Sequence, residues 1–158
     1  MALYAIALGS NRRGRHGNPA AEVRAAAAAL GGLVALSPVV TSAPVGPSAR
    51  RYANAAALIR TNEPPPVLLA RLKAIERRFG RRRGRRWGAR VIDLDITLWS
   101  GGRWRAATLV IPHRALAARV FVLGPLAAIA PGWREPATGL TVRQLLARLT
   151  RPRPLPTR

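Results

Sequence analysis

Residues 91–99 form the segment whose pattern most restricts the fold. In residues 92–98, written Ile-Asp-Leu-Asp-Ile-Thr-Leu, apolar side chains alternate with Asp93, Asp95 and Thr97. Because successive side chains of a strand point to opposite faces, the apolar residues share one face and both aspartates share the other. The Cα atoms of the two aspartates are then about 7 Å apart. The segment is therefore predicted to be a strand with one buried face.

The rest of the chain mixes strand and helix patterns. Strands are predicted at residues 3–8, 33–41, 52–61 and 103–105, and helices at residues 19–30, 64–79 and 141–149. Pro38 predicts an edge or a bulge in its strand. A helical stretch is also expected after His113, interrupted at Gly124-Pro125. Together these elements predict the α+β class, with helices covering a sheet.

Helix ends are marked by capping residues. Asn18 and Pro19 suit the start of the first predicted helix, and Gly31 suits its end. Thr141 and Gln144 have the spacing of a capping box at the start of the last predicted helix.

Chain length favours one domain. A chain of 158 residues is long enough for a single core, which we expect to span residues 1–150. Residues 151–158 are basic, contain three prolines and are expected to form a flexible tail. The absence of cysteine excludes a disulfide scaffold and a cysteine nucleophile, and it is compatible with a reducing cytoplasm.

Residues 25–49 carry no charge and raise the question of a membrane span. Alanine is the most frequent residue of the segment, which is broken by Gly31-Gly32, Pro38, Pro44 and Pro47. Residues 1–10 lack the basic start of a secretory signal. We therefore expect helix, turn and strand here, and no membrane partner.

The net charge of +21 attracts polyanions, but it does not choose among nucleotides, RNA and acidic lipid surfaces. Of the 27 basic residues only Lys73 is lysine. Eight arginines lie within residues 77–90: Arg77, Arg78, Arg81, Arg82, Arg83, Arg85, Arg86 and Arg90. Phosphate is a natural ligand of such a cluster. A solvated charge run or an RNA contact is the alternative, and residues 80–86 are predicted to form a mobile loop.

The aspartate pair is a candidate cation site. Mg²⁺ is typically held by one or two carboxylates together with substrate phosphates. Two solvent-facing aspartates, or partners for arginine, are the alternative interpretation of Asp93 and Asp95. With the arginines, the pair indicates a site for a metal and a triphosphate.

Other nucleotide and hydrolase motifs are absent from the sequence. Lys73 lies outside any Gly-x-x-x-x-Gly-Lys-Ser/Thr loop, and residues 46–50 miss the last glycine of a nucleophile elbow. His113 fits a core histidine as well as a phosphate donor. Tyr52 and Phe121 fit core aromatics as well as binding residues.

Residues 86–96, Arg-Trp-Gly-Ala-Arg-Val-Ile-Asp-Leu-Asp-Ile, closely resemble the signature of the 6-hydroxymethyl-7,8-dihydropterin pyrophosphokinase family of folate biosynthesis. The resemblance covers residues 4–149 through motifs at 7–11, 44–47, 52–56, 111–113 and 119–126, in the same order. It implies a ferredoxin-like α+β sandwich with a mainly antiparallel sheet. It also implies transfer of diphosphate from ATP to the pterin, with release of AMP.

The resemblance implies a role for each matching residue. Asp93 and Asp95 would hold two Mg²⁺ ions, with Asp95 also our candidate base. The residues implied to be catalytic are Arg81, Arg90, Asp95, His113 and Arg119. ATP would contact Arg81, Trp87, Arg90, Ile96, His113 and Arg119, with Arg81 and Trp87 in a loop that closes over it. The pterin would contact Ser42, Pro44, Val45, Tyr52, Asn54, Trp87 and Phe121, between the rings of Tyr52 and Phe121. Glu76 matches a helix glutamate near the site.

The chain departs from the family pattern at Ala89, Thr97 and Arg114. Two other hypotheses stay open: a relative that binds pterin or nucleotide without turnover, and a basic RNA-binding module. No stretch matches the aromatic-rich strand motif of RNA-recognition domains. For the enzyme we expect pterin and ATP as small-molecule partners, no obligatory nucleic acid, a monomer and a cytoplasmic location.

Overall fold

The computed structural model describes residues 1–42, 51–80 and 90–152. Its strands are β1 (Ala2–Ser10), β2 (Leu33–Leu36), β3 (Val40–Ser42), β4 (Tyr52–Thr61), β5 (Asp93–Trp99), β6 (Trp104–Ala106) and β7 (Leu109–Ile111). Its helices are α1 (Pro19–Ala29), α2 (Pro65–Arg78), α3 (Val120–Ile129) and α4 (Val142–Thr150), with a short 3-10 helix at Leu116–Ala118.

The main sheet is antiparallel throughout. Its order is β2-β4-β1-β5. Strand β3 pairs with residues 52–54 at the start of β4, and β6 and β7 form a separate hairpin. Helix α1 connects β1 to the edge strand β2, and α2 connects β4 to β5. These two β-α-β crossovers in one antiparallel sheet confirm the expected α+β, ferredoxin-like sandwich.

Helices cover both faces of the sheet. On one face α1 and α2 bury Val23, Ala26, Leu68, Leu72 and Ile75 against Ile6, Leu8, Leu94 and Ile96. On the other face α3 and α4 bury Leu123, Leu126, Val142 and Leu145 against Ala5, Ala56, Leu58 and Leu98. Each layer presents apolar residues at helical spacing, so burial of these side chains holds the helices on the sheet.

The predicted helix starts are confirmed. The Asn18 side chain accepts a hydrogen bond from the Ala21 backbone N–H at 2.9 Å, and Pro19 opens α1. At α4 the Thr141 hydroxyl accepts from the Gln144 backbone N–H, and the Gln144 side chain accepts from the Thr141 backbone N–H. Both caps satisfy backbone donors that an uncapped helix end would leave unpaired.

The predicted break at Gly124-Pro125 is wrong. Helix α3 runs through Pro125, which is buried within it. The missing proline N–H costs one helical hydrogen bond. Leu123 and Leu126 lie three residues apart on the face toward the sheet and are 0% and 1% exposed. Their burial on the core outweighs the loss of that hydrogen bond.

The strand predicted at residues 33–41 is split. It forms β2 and β3 with a gap at residues 37–39 that contains Pro38. Here the Ser37 side chain accepts from the Ala56 backbone N–H at 2.8 Å, while the Ser37 backbone N–H donates to the Ala56 carbonyl. These bonds replace the ladder across the interruption, as expected for proline near a sheet edge.

A β-bulge at Thr97 sets the direction of the residues on β5. Ala5 pairs with Leu98 and Ile6 pairs with Ile96, so Thr97 is the extra residue on β5. The buried Thr97 hydroxyl donates to the Ala5 carbonyl at 2.9 Å. Asp93 and Asp95, which precede the bulge, face the side of the sheet that α3 covers. The extra residue reverses the alternation, so Leu98 after the bulge faces the same side.

No helix in the described part of the chain is both long and apolar enough to cross a membrane. The described part of the charge-free segment, residues 25–42, forms the end of α1, a turn at Gly31 and Gly32, β2 and β3. Both glycines have positive φ, at 69° and 62°. Gly32 also has no room for a side chain, because a Cβ would lie 2.2 Å from the Arg60 carbonyl oxygen.

Candidate active site

Two cavities open beside β5. The first has a volume of about 460 Å³ and is lined by Ala7, Leu8, Gly9, Ser10, Asn11, Tyr52, Asn54, Arg90, Asp93, Asp95, Arg119, Phe121 and Val122. The second has a volume of about 370 Å³ and is lined by Leu69, Lys73, Asp95, Ile96, Ala107, Thr108, Leu109, Val110, His113 and Arg114. We call these the aromatic cavity and the hairpin cavity. Asp95 lines both of them.

The two aspartates lie on the face of β5 that the alternation predicts. Asp93 pairs across the sheet with Gly9, and Asp95 pairs with Ala7. Because cross-strand partners share a face, both carboxylates stand over small residues of β1. Asp95 is exposed and Asp93 is partly exposed, whereas Leu94 between them is 3% exposed. The pair is thus held on a core strand with its carboxylates open to the cavities.

Arg90 lies directly beside Asp93. Its guanidinium Nη1 donates to Asp93 Oδ1 at 2.8 Å. This hydrogen bond raises the pKa of the Arg90 guanidinium, burial acts to lower it, and the Asp93 charge adds to the increase. The charges of Glu76 and Asp95 also raise this pKa. Arg90 therefore stays cationic within a group of carboxylates.

Asn11 holds the backbone of Arg90 in place. The Arg90 backbone N–H donates to Asn11 Oδ1 at 2.6 Å, and the Asn11 backbone N–H donates to the Arg90 carbonyl at 3.1 Å. Asn11 was not among the residues predicted for the site. Local sequence patterns do not indicate this contact, because Arg90 lies 79 residues away from Asn11.

Tyr52 and Phe121 are exposed, so the interpretation of these two residues as core aromatics is wrong. Their exposed fractions are 42% and 50%, and both line the aromatic cavity. Tyr52 is the first residue of β4, where it pairs with Ser42 of β3. Phe121 lies in the first turn of α3, where the Arg119 guanidinium carbon is 5.7 Å from the ring centroid. This distance allows a cation–π contact.

Asn54 lies on the floor of the aromatic cavity beside Gly9. The two residues pair across β1 and β4. A Cβ on Gly9 would lie 3.2 Å from Asn54 Oδ1, closer than ordinary van der Waals contact. Glycine at this position therefore gives the Asn54 amide room to point into the cavity.

His113 lies at the hairpin cavity and is tied to β5. Its backbone N–H donates to the Thr97 carbonyl at 3.0 Å, so the bulge residue also positions this histidine. Its ring Nδ1 accepts from the Ala115 backbone N–H at 3.0 Å. A neutral ring that accepts through Nδ1 carries its proton on Nε2, which suits it to donate to a phosphate.

The remaining predicted residues fall into two groups. Ile96 is 2% exposed, and its side chain belongs to the core beside the hairpin cavity. Glu76 is 3% exposed and close enough to Arg90 to raise its pKa. Pro44, Val45, Arg81 and Trp87 lie outside the described residues, as do most of the predicted mobile loop and residues 153–158 of the predicted tail.

The donor set fits magnesium better than a soft metal. Within residues 1–42, 51–80 and 90–152, no three His, Asp or Glu side chains converge on a common point. Two carboxylates on one strand face supply hard oxygen ligands and leave most of the coordination shell to phosphate and water. Mg²⁺ bound with a nucleotide takes that arrangement.

Comparison with known proteins identifies relatives over most of the chain. Residues 5–131 match the family model described as 7,8-dihydro-6-hydroxymethylpterin-pyrophosphokinase, abbreviated HPPK. The 2-amino-4-hydroxy-6-hydroxymethyldihydropteridine pyrophosphokinase of Pseudomonas aeruginosa is 41% identical, over 90% of this chain and 88% of that protein. The Synechocystis protein of the same name is 44% identical over 64% of this chain, and the match spans 52% of that protein's length.

Solved structures share the fold. The HPPK-DHPS protein of Plasmodium falciparum superposes with a TM-score of 0.68 over 93% of this chain, at 13% identity. A second HPPK-DHPS structure, in complex with substrates, gives a TM-score of 0.71 over 94% of this chain. The match spans 41% and 45% of those longer chains.

Proposed function

The chain belongs to the 7,8-dihydro-6-hydroxymethylpterin-pyrophosphokinase family, and we propose that it transfers the terminal diphosphate of ATP to the hydroxymethyl group of 6-hydroxymethyl-7,8-dihydropterin, releasing AMP. The proposal takes the reaction named for the relatives and assigns it to the two cavities beside β5. It makes the chain an ATP-dependent diphosphotransferase of folate biosynthesis.

The position of Asp95 between the two cavities carries the proposal. A transfer from one substrate to another needs two binding sites that meet at the reacting atoms. The aromatic cavity suits a flat pterin ring, and the hairpin cavity suits a nucleotide. Asp95 is on the wall of both, so a carboxylate that could hold a phosphate-binding metal ion stands where the substrates would meet.

The pterin is assigned to the aromatic cavity. Tyr52 and Phe121 offer exposed ring faces, against which a flat heterocycle stacks favourably. The Asn54 amide carries both a donor and an acceptor for the hydrogen-bonding edge of the ring. We assign Ser42, Pro44, Val45 and Trp87 to the same subsite from the family motif alone.

The phosphates are assigned to the cations around Asp95. Arg90 and Arg119 line the aromatic cavity, and His113 lines the hairpin cavity. Cationic and N–H donors at these positions would bind the triphosphate and stabilise charge that moves to the leaving AMP. We assign Arg81 and Trp87 to closure over ATP, and Ile96 to the wall that ATP contacts.

Asp93 and Asp95 would hold two Mg²⁺ ions. When bound, the ions neutralise phosphate charge on the attacking and leaving sides of the transfer. The hydrogen bond from Arg90 fixes one oxygen of Asp93. Asp95 is also our candidate to accept the proton of the pterin hydroxyl.

We infer that the enzyme is a cytoplasmic monomer whose single domain spans residues 1–150. Both cavities are lined by one chain, so a partner subunit is not needed to complete them. ATP and a pterin are the small-molecule partners in this proposal.

The test is the identity of the nucleotide product. Purified protein is incubated with ATP, Mg²⁺ and 6-hydroxymethyl-7,8-dihydropterin, and nucleotides are separated at several times. The proposal predicts one AMP for each pterin diphosphate, and no AMP when the pterin is omitted. ADP would show attack at a different phosphorus. No turnover by a folded sample would support a binding-only relative or an RNA-binding module.

A further inference from the structure

The one lysine of the chain lies in the hairpin cavity. Of 27 basic residues only Lys73 is not arginine, and Lys73 lines this cavity together with Asp95 and His113. It is exposed on α2. Lysine carries a compact charge on a flexible stem and binds a phosphate as a point charge, whereas arginine binds through a rigid fork.

Apolar, cationic and acidic side chains follow one another along the face of α2 at the hairpin cavity. Leu69, Lys73 and Glu76 are spaced by four and three residues, so they share one face of the helix. At the Leu69 end, Leu109 and Val110 of β7 complete an apolar wall. At the other end, Glu76 lies near Arg90, as the effect of its charge on the Arg90 pKa shows. Lys73 therefore stands between an apolar end and the carboxylate end.

A nucleotide matches that order. Its base is flat and largely apolar at its faces, the ribose and α-phosphate follow, and the β- and γ-phosphates reach the metal ligands. With the base at the Leu69 end and the terminal phosphates at Asp95, the α-phosphate comes next to Lys73. Lys73 is less than one helical turn from Glu76, about 4.5 Å along the axis.

Within residues 1–42, 51–80 and 90–152, the Lys73 ammonium forms no ion pair with a carboxylate. Among the described residues, ion pairs that include His16 with Glu22, Arg71 with Glu63 and Arg90 with Asp93 do not involve Lys73. A cation beside a cavity with no carboxylate partner of its own is suited to an anionic ligand.

We propose that Lys73 contacts the nucleotide, with its ammonium bound to the ribose and α-phosphate of ATP. This inference rests on the proposed function only in placing a nucleotide in the hairpin cavity. It goes further in assigning a residue to the part of ATP that leaves as AMP. Lys73 thus binds substrate and product alike, unlike groups that contact only the transferred diphosphate.

The first experiment measures AMP binding by calorimetry, with neither pterin nor turnover. We compare wild type, Lys73→Met and the control Arg24→Met, which removes an exposed cation of α1 outside both cavities. Lys73→Met is expected to weaken AMP binding on the order of tenfold, as for loss of one charge-assisted hydrogen bond. Arg24→Met is expected to bind as wild type does. Equal AMP affinity in the two variants would overturn the proposal.

The second experiment labels the amine directly. Periodate-oxidised AMP carries ribose aldehydes; an amine attacks one of them, water leaves, and borohydride reduces the imine to a stable secondary amine. We expect label on Lys73, prevented by an excess of AMP. The α-amine of Met1, exposed with its residue at 84%, is the internal control and should label with or without AMP. Label at Met1 but not at Lys73 would contradict the contact.

The two proposals fail separately. If AMP binding depends on Lys73 but no AMP forms from ATP and pterin, the nucleotide contact stands and the pyrophosphokinase reaction does not. If pterin-dependent AMP forms at the same ATP KM in Lys73→Met and Arg24→Met, the reaction stands and the role of Lys73 does not.

Discussion

The Arg90 guanidinium donates to Asp93 Oδ1 at 2.8 Å, so a cation is fixed against one member of the aspartate pair. Arg90 is in turn held through its backbone by Asn11, from the turn after β1. Asn11 follows β1 and Arg90 precedes β5, so two segments that are distant in the sequence together position the guanidinium beside Asp93. This arrangement places Arg90, which we propose binds phosphate, next to a carboxylate that we propose holds a metal ion.

Asn11→Ala tests the brace on Arg90. Loss of the amide leaves the Arg90 backbone N–H without its acceptor, at a cost of about 1 kcal/mol in unfolding free energy. We expect turnover to fall roughly tenfold, since a small displacement of catalytic groups is costly. Asn18→Ala is the matched control, because it removes the cap of α1 at a similar cost of about 1 kcal/mol. Denaturant unfolding and kcat are measured for both, and equal kcat in the two variants would remove Asn11 from the site.

Tyr52→Ala and Tyr52→Phe separate the ring from the hydroxyl. The side chain is exposed, so neither substitution should change thermal stability by more than a few degrees. Stacking needs only the ring, and we expect Tyr52→Phe to keep the pterin KM of the wild type. Tyr52→Ala should raise that KM on the order of tenfold, equivalent to a loss of about 1.4 kcal/mol. A pterin KM that is insensitive to Tyr52→Ala would place the ring elsewhere.

Thr97→Val tests the bulge on β5. Valine keeps the shape of threonine but cannot donate to the Ala5 carbonyl, and the site is 3% exposed. An unsatisfied buried carbonyl costs about 1–3 kcal/mol. The variant should therefore unfold at lower denaturant concentration than wild type. Unchanged stability would show that the hydroxyl is not needed to hold the bulge.

Glu135 gives the fold a dependence on acid pH. Burial acts to raise the pKa of its carboxyl, but hydrogen bonds from the Thr138 hydroxyl and from the backbone N–H groups of Ala137 and Thr138 outweigh it. The folded-state pKa is therefore below the ordinary value of 4.5. Its contribution to stability is present above pH 4.5 and is lost as the pH falls through the folded-state pKa.

Glu135→Gln should therefore be less stable than wild type at pH 7, and the gap in melting temperature should narrow as the pH falls below 4.5. Melting curves of both proteins between about pH 7 and pH 3 measure this gap. A gap that stays constant across the range would show that the carboxylate is not stabilised by its hydrogen bonds.

Local sequence patterns are enough to predict much of the fold and part of the candidate site. The alternation around Asp93 and Asp95 needs only the strand period, and the caps at Asn18 and Thr141 need only neighbouring residues, so these features were predictable. The shared face of the aspartates follows from the same rule.

Features that depend on distant partners were not predictable in the same way. Helix α3 continues through Pro125 because Leu123 and Leu126 are buried on the sheet. The bulge at Thr97 depends on pairing with Ala5, 92 residues away. The exposure of Tyr52 and Phe121 depends on which elements surround them, so composition could not decide between a core and a binding role.

The most direct test of the account compares Asp95→Asn with Glu135→Gln, two changes of a carboxylate to its amide, one where the cavities meet and one between α3 and α4. Asp95 is exposed, so Asp95→Asn should fold as wild type does. We measure pterin-dependent AMP formation at saturating Mg²⁺, well below the melting temperature of either variant. Asp95→Asn should lower the rate by roughly two to three orders of magnitude, whereas Glu135→Gln should keep the wild-type rate. Equal rates in the two variants would contradict the assignment of diphosphate transfer to Asp95.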